Sequence, residues 1–460
     1  MKRALVACAL LGIGCASAHA PGAQSPTPGE RRGDDGEAVV FPSTYERREA
    51  PPVLIRNATV LTAAGPRIEN GSVLMRDGKI VAVGRDIDAP PGVRVIDATG
   101  KWVTPGVIDS HSHLGDYPAP GVDAVSDGNE MVNPNTAEVW AEHSVWPQDP
   151  QFDLARAGGI TALQILPGSA NLFGGRGVTV KNVPSVTVQG MKFPGAPYGL
   201  KMACGENPKR VYGQRGGPAT RMGNVAGYRT GWIRAAQYLE DMKSDGRRPT
   251  RDLELETLAG VLEGDILVQH HCYRADEMAQ VIDVADEFGY KVSSFHHAVE
   301  AYKIGELLKE RDICASIWAD WWGFKLEAYD GIKQNAALLH QDGACIIIHS
   351  DDAQGIQRLN QEAAKAMAAG NQNGIRITHE DAIRWITINP AKAIGVDGMT
   401  GSLEPGKMAD VVIWDGDPFS VYTKAEKVFI DGALLFDRLD PTTHHQSDFM
   451  LGILPREVTR

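Results

Sequence analysis

Between residues 102 and 348 short apolar runs alternate with stretches of helical periodicity, and this rhythm restricts the fold more than any other feature of the chain. The candidate strands are Trp102 to Ile108, Ile160 to Leu166, Val178 to Val188 (broken by Pro184), Leu200 to Cys204, Ile266 to Gln269, Lys291 to Phe295, Ile313 to Trp318 and Ala344 to Ile348. Runs of this length joined by helical crossovers specify β-α units, because a parallel neighbour cannot be reached through a tight turn. Ala275, Met278, Ile282 and Ala285 form one crossover stripe, closed by Gly289 as a C-terminal signal. Eight such strands favour a closed barrel, in which ligands gather at the strands' C-terminal ends.

Those ends carry one kind of chemistry. His111 and His113 follow the first strand, and two residues one apart in an extended chain share a face. His271 (with His270) ends the fifth strand, His297 (with His296) the sixth, and Asp351 (with Asp352) the eighth. His271 to His297 is 26 residues, one β-α unit, and His297 to Asp351 is 54, two units with the seventh strand skipped. Strand alternation decides which member of each doublet faces inward, and the sequence leaves that open. Four imidazoles and a carboxylate at one barrel mouth make a donor set for one or two divalent cations, Zn²⁺ above all, with a position left for water. Such an ion lowers the pKa of its water to about 7 and generates a hydroxide nucleophile. Asp351 is then both ligand and general base, passing the proton on to a leaving amine. His349 shares a face with Asp351; it either lines the barrel beneath the metal or is a core histidine bonded to a carbonyl.

Both flanks of the barrel region carry short strands with turn signals, Val53 through Lys101 and Asp410 through Phe436, including Asp77-Gly78 and Asp431-Gly432 between apolar runs. One small β domain built from 51–102 and 402–440, with 103–401 inserted, accounts for the symmetry. Two long connections, Leu114 to Gln151 and Glu206 to Leu253, read as loops overhanging the mouth. In the second of them Asn207, Lys209, Arg210, Tyr212 and Arg221 either recognise a substrate carboxylate or pair with neighbouring residues. Trp318, Trp321 and Trp322 either wall an apolar subsite or pack into core and surface, and packing is favoured.

A net charge of −12 argues against nucleic acid or an anionic membrane as partner. Lys2 and Arg3, the apolar run Ala4 to Gly14 and Ala18-His19-Ala20 have the three parts of a secretory leader at 1–20, with an apolar run too short to span a bilayer. A soluble, exported, periplasmic form is expected, with a lipoprotein anchored through Cys15 as the alternative. Residues 21–50 read as a linker. Cys204, Cys272, Cys314 and Cys345 lie in or beside apolar strands with no two close in sequence, and are expected to be buried free thiols.

Pro105-Gly-Val-Ile-Asp-Ser-His-Ser-His113, His271-Cys-Tyr-Arg-Ala-Asp-Glu-Met, His297-Ala-Val-Glu-Ala-Tyr-Lys, Ser350-Asp351, Asn389-Pro-Ala-Lys and Gly401-Ser-Leu-Glu-Pro-Gly-Lys-Met-Ala-Asp together resemble the metal-dependent amidohydrolase superfamily, in its imidazolonepropionase-like and prolidase-like branch. The resemblance runs from about residue 53 to 438. It implies a distorted (β/α)₈ barrel with a small β-sandwich made by both termini, one or two divalent metals, and hydrolysis of a C–N amide-type bond in a dipeptide, N-acyl amino acid or cyclic amide. It makes His111, His113, His271, His297 and Asp351 metal ligands and Asp351 the general base. In binuclear relatives a strand-four glutamate or carboxylated lysine bridges the metals; here Glu206 is favoured over the deeper Lys201. A mononuclear deaminase of the same superfamily, or a non-catalytic exported binding protein on this scaffold, are the other functions considered; a homo-oligomer is compatible with all three.

Overall fold

A computed structural model describes residues 40–244 and 249–445. The leader at 1–20, with Cys8 and Cys15, and most of the linker at 21–50 lie outside the described residues. The strands and helices belong to the compact unit that begins at Ser43.

Five strands precede the barrel: β1 (Val53–Val60), β2 (Ile68–Arg76), β3 (Lys79–Gly84), β4 (Arg94–Asp97) and β5 (Trp102–Pro105). The barrel strands are β6 (Val107–Ser112), β7 (Ile160–Ile165), β8 (Phe173–Lys181), β9 (Tyr198–Ala203), β10 (Ile266–Cys272), β11 (Val292–His297), β12 (Cys314–Ile317) and β13 (Cys345–Ile348). After them come β14 (Val411–Trp414), β15 (Ala425–Ile430) and β16 (Ala433–Asp437), which join β1 to β5 in a second eight-stranded sheet. Its order is β16-β15-β14-β5-β1-β2-β3, with β4 alongside β1. Asp77-Gly78 and Asp431-Gly432 turn β2 into β3 and β15 into β16, each pair with positive φ as a two-residue hairpin turn requires.

The run Trp102 to Ile108, expected as one barrel strand, is two. Trp102–Pro105 pairs with β14 and β1 in the second sheet, and the chain crosses into the barrel at Gly106. A Cβ there would lie 2.0 Å from the Thr161 hydroxyl, so only glycine allows this approach.

The barrel order is sequential, β6 through β13, and the mouth is where β6, β7 and β9 to β13 end. β8 is the exception: it starts at Phe173 rather than Val178 and runs antiparallel to both neighbours. Residues 166–172, its link to β7, are too few for a helical crossover, so the chain folds back as a hairpin. The two ends of the barrel sheet meet through Trp385 and Ile386, whose carbonyls accept from Ile348 N and Ile108 N, and through Asp351 N donating to His111 O at 3.1 Å.

The stretch from Glu206 to Leu253, expected as a loop, is largely helical: α1 (Glu206–Tyr212) and α2 (Arg221–Lys243) fill it. Asn224, Tyr228, Gly231, Trp232, Ala235 and Tyr238 make a buried stripe at helical spacing along α2, which packs on Phe173 of β8. The crossover stripe at Ala275 is a helix as expected, α3 (Ala275–Phe288), ending at left-handed Gly289.

All four cysteines of the fold are paired, which corrects the expectation of free thiols. Cys314–Cys345 joins directly opposed positions on neighbouring parallel strands at the barrel floor, and Cys204–Cys272 joins the residue after β9 to the last residue of β10 at the mouth. Residues remote in sequence are adjacent because the barrel sets its neighbouring strands in register. Among the described residues no helix is long and apolar enough to cross a membrane.

Candidate metal centre at the barrel mouth

Asp351 stands at the middle of a ring of histidines. Its Oδ1 lies 3.1 Å from His113 Nε2 and 3.4 Å from His111 Nε2, and its Oδ2 lies 3.7 Å from His297 Nδ1. The donor atoms of His111, His113 and Asp351 lie within 4.8 Å of one another, as do those of His111, His296 and His349. His349 Nε2 is 2.9 Å from His297 Nδ1, and the His271 ring is 4.6 Å from that of His297. His113 is fixed by a 2.7 Å hydrogen bond from Nδ1 to Leu166 O.

Two backbone kinks build this ring. His297 has φ 68° and Asp351 φ 53°, left-handed values that cost a non-glycine residue about 1–3 kcal/mol. At His297 the kink breaks strand alternation, so both members of the doublet reach the centre: His296 Nδ1 lies 2.9 Å from His111 Nδ1 while His297 meets Asp351. The sixth-strand doublet is therefore not an either-or choice. In the fifth-strand doublet His271 faces His297 and Tyr273, whereas His270 packs against Tyr228 and Phe295 with neither ring nitrogen hydrogen-bonded.

Lys201, fully buried on β9, is the strand-four residue that reaches the cluster. Its Nζ is 3.2 Å from His111 Nε2 and donates to Pro167 O at 2.9 Å. Glu206 does not take that place: it opens α1 with Oε1 3.7 Å from Lys325 Nζ. The chain turns at Gly205 (φ 78°) into the helix, which carries the Glu206 carboxylate to Lys325. Of the other loop residues, Arg221 follows the second of the two expected readings, pairing with its neighbours. Arg221 is held by Glu277 at 2.9 Å and by Glu327, so its charge is already compensated. Tyr212 is buried, and burial pushes its hydroxyl up to about 12. Lys209 and Arg210 lie in the last turn of α1, where the Arg210 charge acts on Lys325. Lys325 itself donates to Asn207 Oδ1 at 3.1 Å, stands 3.9 Å over the Tyr273 ring, and had no signal in the sequence. Asp109, which accepts from Ser350 and His111 backbone amides, was hidden in the same way.

The protonation states suit a cation. Burial holds His111, His271, His296 and His297 well below the ordinary histidine value, with the Lys201 charge adding to it at His111. His349 is pushed down to about 4 by burial, against the pull of Asp351. Burial raises the Asp351 carboxyl, but the hydrogen bond from His113 and the charges of His113, His349 and Lys201 outweigh it and keep the group below its usual value. Burial also pushes Lys201 down to about 7 and Asp109 up to about 7. Imidazoles at His111, His271, His296, His297 and His349 held below their ordinary value, around a carboxylate held below its own and with His271 Nδ1 and His349 Nδ1 lacking hydrogen-bond partners, are donors that favour a divalent cation.

The known proteins that the chain resembles agree in kind. The structure of an amidohydrolase from Thermotoga maritima superposes with TM-score 0.78 at 37% identity, covering 84% of this chain and all of the other. The chain belongs to the amidohydrolase family. The model of the Amidohydrolase family matches residues 325–436 of this amidohydrolase. Amidohydrolase tasK of Hapsidospora irregularis is 32% identical over 84% of the chain, which spans only 43% of that protein. An imidazolonepropionase of Mesorhizobium japonicum is 24% identical, with 76% of this chain and 87% of that one covered. The family's barrel with a second sheet is the fold described above, and its metal dependence matches the His and Asp cluster.

Proposed function

We propose that this amidohydrolase hydrolyses a C–N amide-type bond of a small substrate, a dipeptide, N-acyl amino acid or cyclic amide, with Asp351 as general base. The observation that carries the reading is the Asp351 carboxylate ringed by His111, His113 and His297. His111, His113, His271, His297 and Asp351 would hold one or two divalent cations, Zn²⁺ by donor type, and Lys201 in place of Glu206 is the candidate bridge. A lysine with its pKa near 7 is in part a neutral amine at neutral pH, the form that adds CO₂ to become a carboxylate. A cation bound there supplies Lewis acidity toward water and the amide carbonyl. Asp351 takes the proton from water through an oxygen partly open to the mouth and returns it to the departing amine. His296 and Gln269, whose Oε1 lies 2.8 Å from His296 Nε2, hold the His111 ring from beneath.

Metal analysis of the purified protein tests this reading: about two equivalents with amide hydrolysis are expected, one equivalent with ammonia release would make it a mononuclear deaminase, and none would leave a binding scaffold. Export is part of the proposal. The leader-like 1–20 segment supports it, and so do two disulfides, which belong to oxidising compartments. Amino-terminal sequencing of the mature protein should find Pro21 first.

A further inference from the structure

A neutral imidazole holds a cation only through its unprotonated nitrogen, so each histidine ligand needs its proton kept on the side away from the ion. His113 has this arrangement directly. Its Nδ1 donates to Leu166 O at 2.7 Å, which leaves Nε2 as a lone pair 3.1 Å from Asp351 Oδ1. His111 Nδ1 meets a second imidazole instead, His296 Nδ1 at 2.9 Å. Two ring nitrogens bond only when one carries the proton and the other does not.

The choice between them is made one residue further on, at Gln269 of β10. Gln269 Nε2 donates to Ala393 O at 2.8 Å, so the amide oxygen turns the other way, to His296 Nε2 at 2.8 Å. A carbonyl oxygen can only accept, and His296 Nε2 therefore carries a proton. His111, Gln269 and His296 are all completely buried, and the hydrogen bonds of His296 go to an amide oxygen and a ring nitrogen, neither of them a carboxylate that would retain a second proton. His296 Nδ1 is then a lone pair, the His111 proton lies on Nδ1, and His111 Nε2 is bare. The far side of the ring agrees: Lys201 Nζ stands 3.2 Å from that Nε2, where an ammonium needs a lone pair to meet.

We infer that Gln269 and His296 are positioning residues that hold His111 in its Nδ1-protonated tautomer, so that Nε2 faces the centre ready for a cation. The inference rests on the reading of His111 as a metal ligand and adds the buried chain, from Ala393 O through Gln269 to His296, that fixes its protonation pattern. It also gives His296 a role apart from the ligands. Its Nδ1 lone pair is taken by the His111 proton, so it acts as an acceptor although it lies within reach of the ring.

Two measurements on the full-length protein test this. In chelator-treated protein with isotope-labelled histidine, the NMR shifts and coupling patterns of the ring nitrogens should show His111 protonated at Nδ1 and bare at Nε2, its signals assigned by their loss in His111→Asn. Competition for Zn²⁺ with a chromophoric chelator gives the second readout. His296→Phe keeps a ring but not the acceptor, and should weaken Zn²⁺ binding by about 10- to 100-fold. His296→Gln, whose amide oxygen can take the His111 proton, should recover most of that loss. Gln269→Met leaves both rings in place and carries the test if His296→Phe does not fold: it should weaken Zn²⁺ binding and leave His111 in a mixture of tautomers. A His111 protonated at Nε2, or Zn²⁺ affinity unchanged in His296→Phe and Gln269→Met, would overturn the inference. So would a His296→Gln protein no better than His296→Phe, which would reduce His296 to filling space. If Zn²⁺ does not bind the wild-type protein, the metal reading falls, while the His111 tautomer and its change in Gln269→Met still decide whether the chain sets it.

Discussion

Two lysines on adjacent barrel strands are both completely buried, yet they are set in opposite surroundings. Lys181 on β8 lies 2.8 Å from Asp431 and 3.6 Å from Asp410, at the seam between the barrel and the second sheet. Tyr45 also donates to Asp431, and Thr400 to Asp410, so the carboxylates are bonded from several sides. Lys201 on β9 has a carbonyl and an imidazole nitrogen within reach and no carboxylate in hydrogen-bonding contact. Burial then drives its pKa down to about 7. A buried charge that is matched locally holds structure together. One that is not matched is kept close to neutrality, where it can react or bind.

The largest expected effect lies on the mouth side of this comparison. Asp351→Asn keeps the shape of the group but removes its charge and basicity, and should lower kcat by roughly 10³- to 10⁴-fold with the circular dichroism spectrum unchanged. Retained turnover would remove Asp351 from the general-base role.

Next comes the lysine pair itself. Lys181→Met leaves two buried carboxylates without their cation and should cost about 3–5 kcal/mol of stability, with normal turnover per folded molecule. Lys201→Met should do the reverse: little loss of stability, since it deletes an uncompensated amine, but loss of turnover and a drop from about two metal equivalents to one. If both variants lose stability alike, the two sites do not differ as their contacts indicate.

How much of this could be read in the chain follows the same division. The barrel strands and the His111, His113, His271, His297 and Asp351 set were legible because strand ends and β-α spacing are periodic. Glu206 was preferred to Lys201 because nothing in a sequence tells where α1 begins to turn a carboxylate away from the mouth. The α2 helix was missed since its glycines and arginines obscured the Tyr228, Trp232, Ala235, Tyr238 stripe. His296 was taken as an alternative to His297 because a left-handed φ at a strand end is invisible to alternation. The disulfides were missed because their partners, 68 and 31 residues apart, meet only through strand register.

Those disulfides extend the contrast between mouth and floor. Replacing either pair by serines should cost about 2–4 kcal/mol by relaxing the unfolded chain. Only loss of Cys204–Cys272, which ties the strand ends carrying Lys201 and His271, should also weaken metal retention in a chelator titration. Equal weakening by the Cys314–Cys345 variant would mean that the pairs act through global stability alone.

The smallest effects per group are those of pH, and their sign is fixed. His111, His270, His271, His296, His297 and His349 have folded pKa values below the ordinary 6.5 because burial penalises the charged ring. Between 6.5 and those values the unfolded chain binds more protons, so each histidine removes up to about 1.4 kcal/mol of stability per unit fall in pH. Lys201, down at about 7 when folded, adds a rise in stability from pH 7 toward the ordinary lysine value, since again the unfolded chain holds the extra proton. Chelator-treated protein should therefore have urea midpoints that increase from pH 5 through pH 9. His270→Phe isolates one group without touching the ring around Asp351: its neighbours are Tyr228 and Phe295, and it should flatten the acid limb by about one proton. Lys201→Met should remove the alkaline limb and also make the acid limb shallower, because the Lys201 charge helps hold the neighbouring histidines down. A midpoint that stays level from pH 5 to 6.5 would mean the imidazoles carry charge in the fold, and a ring of charged histidines could not serve as metal ligands.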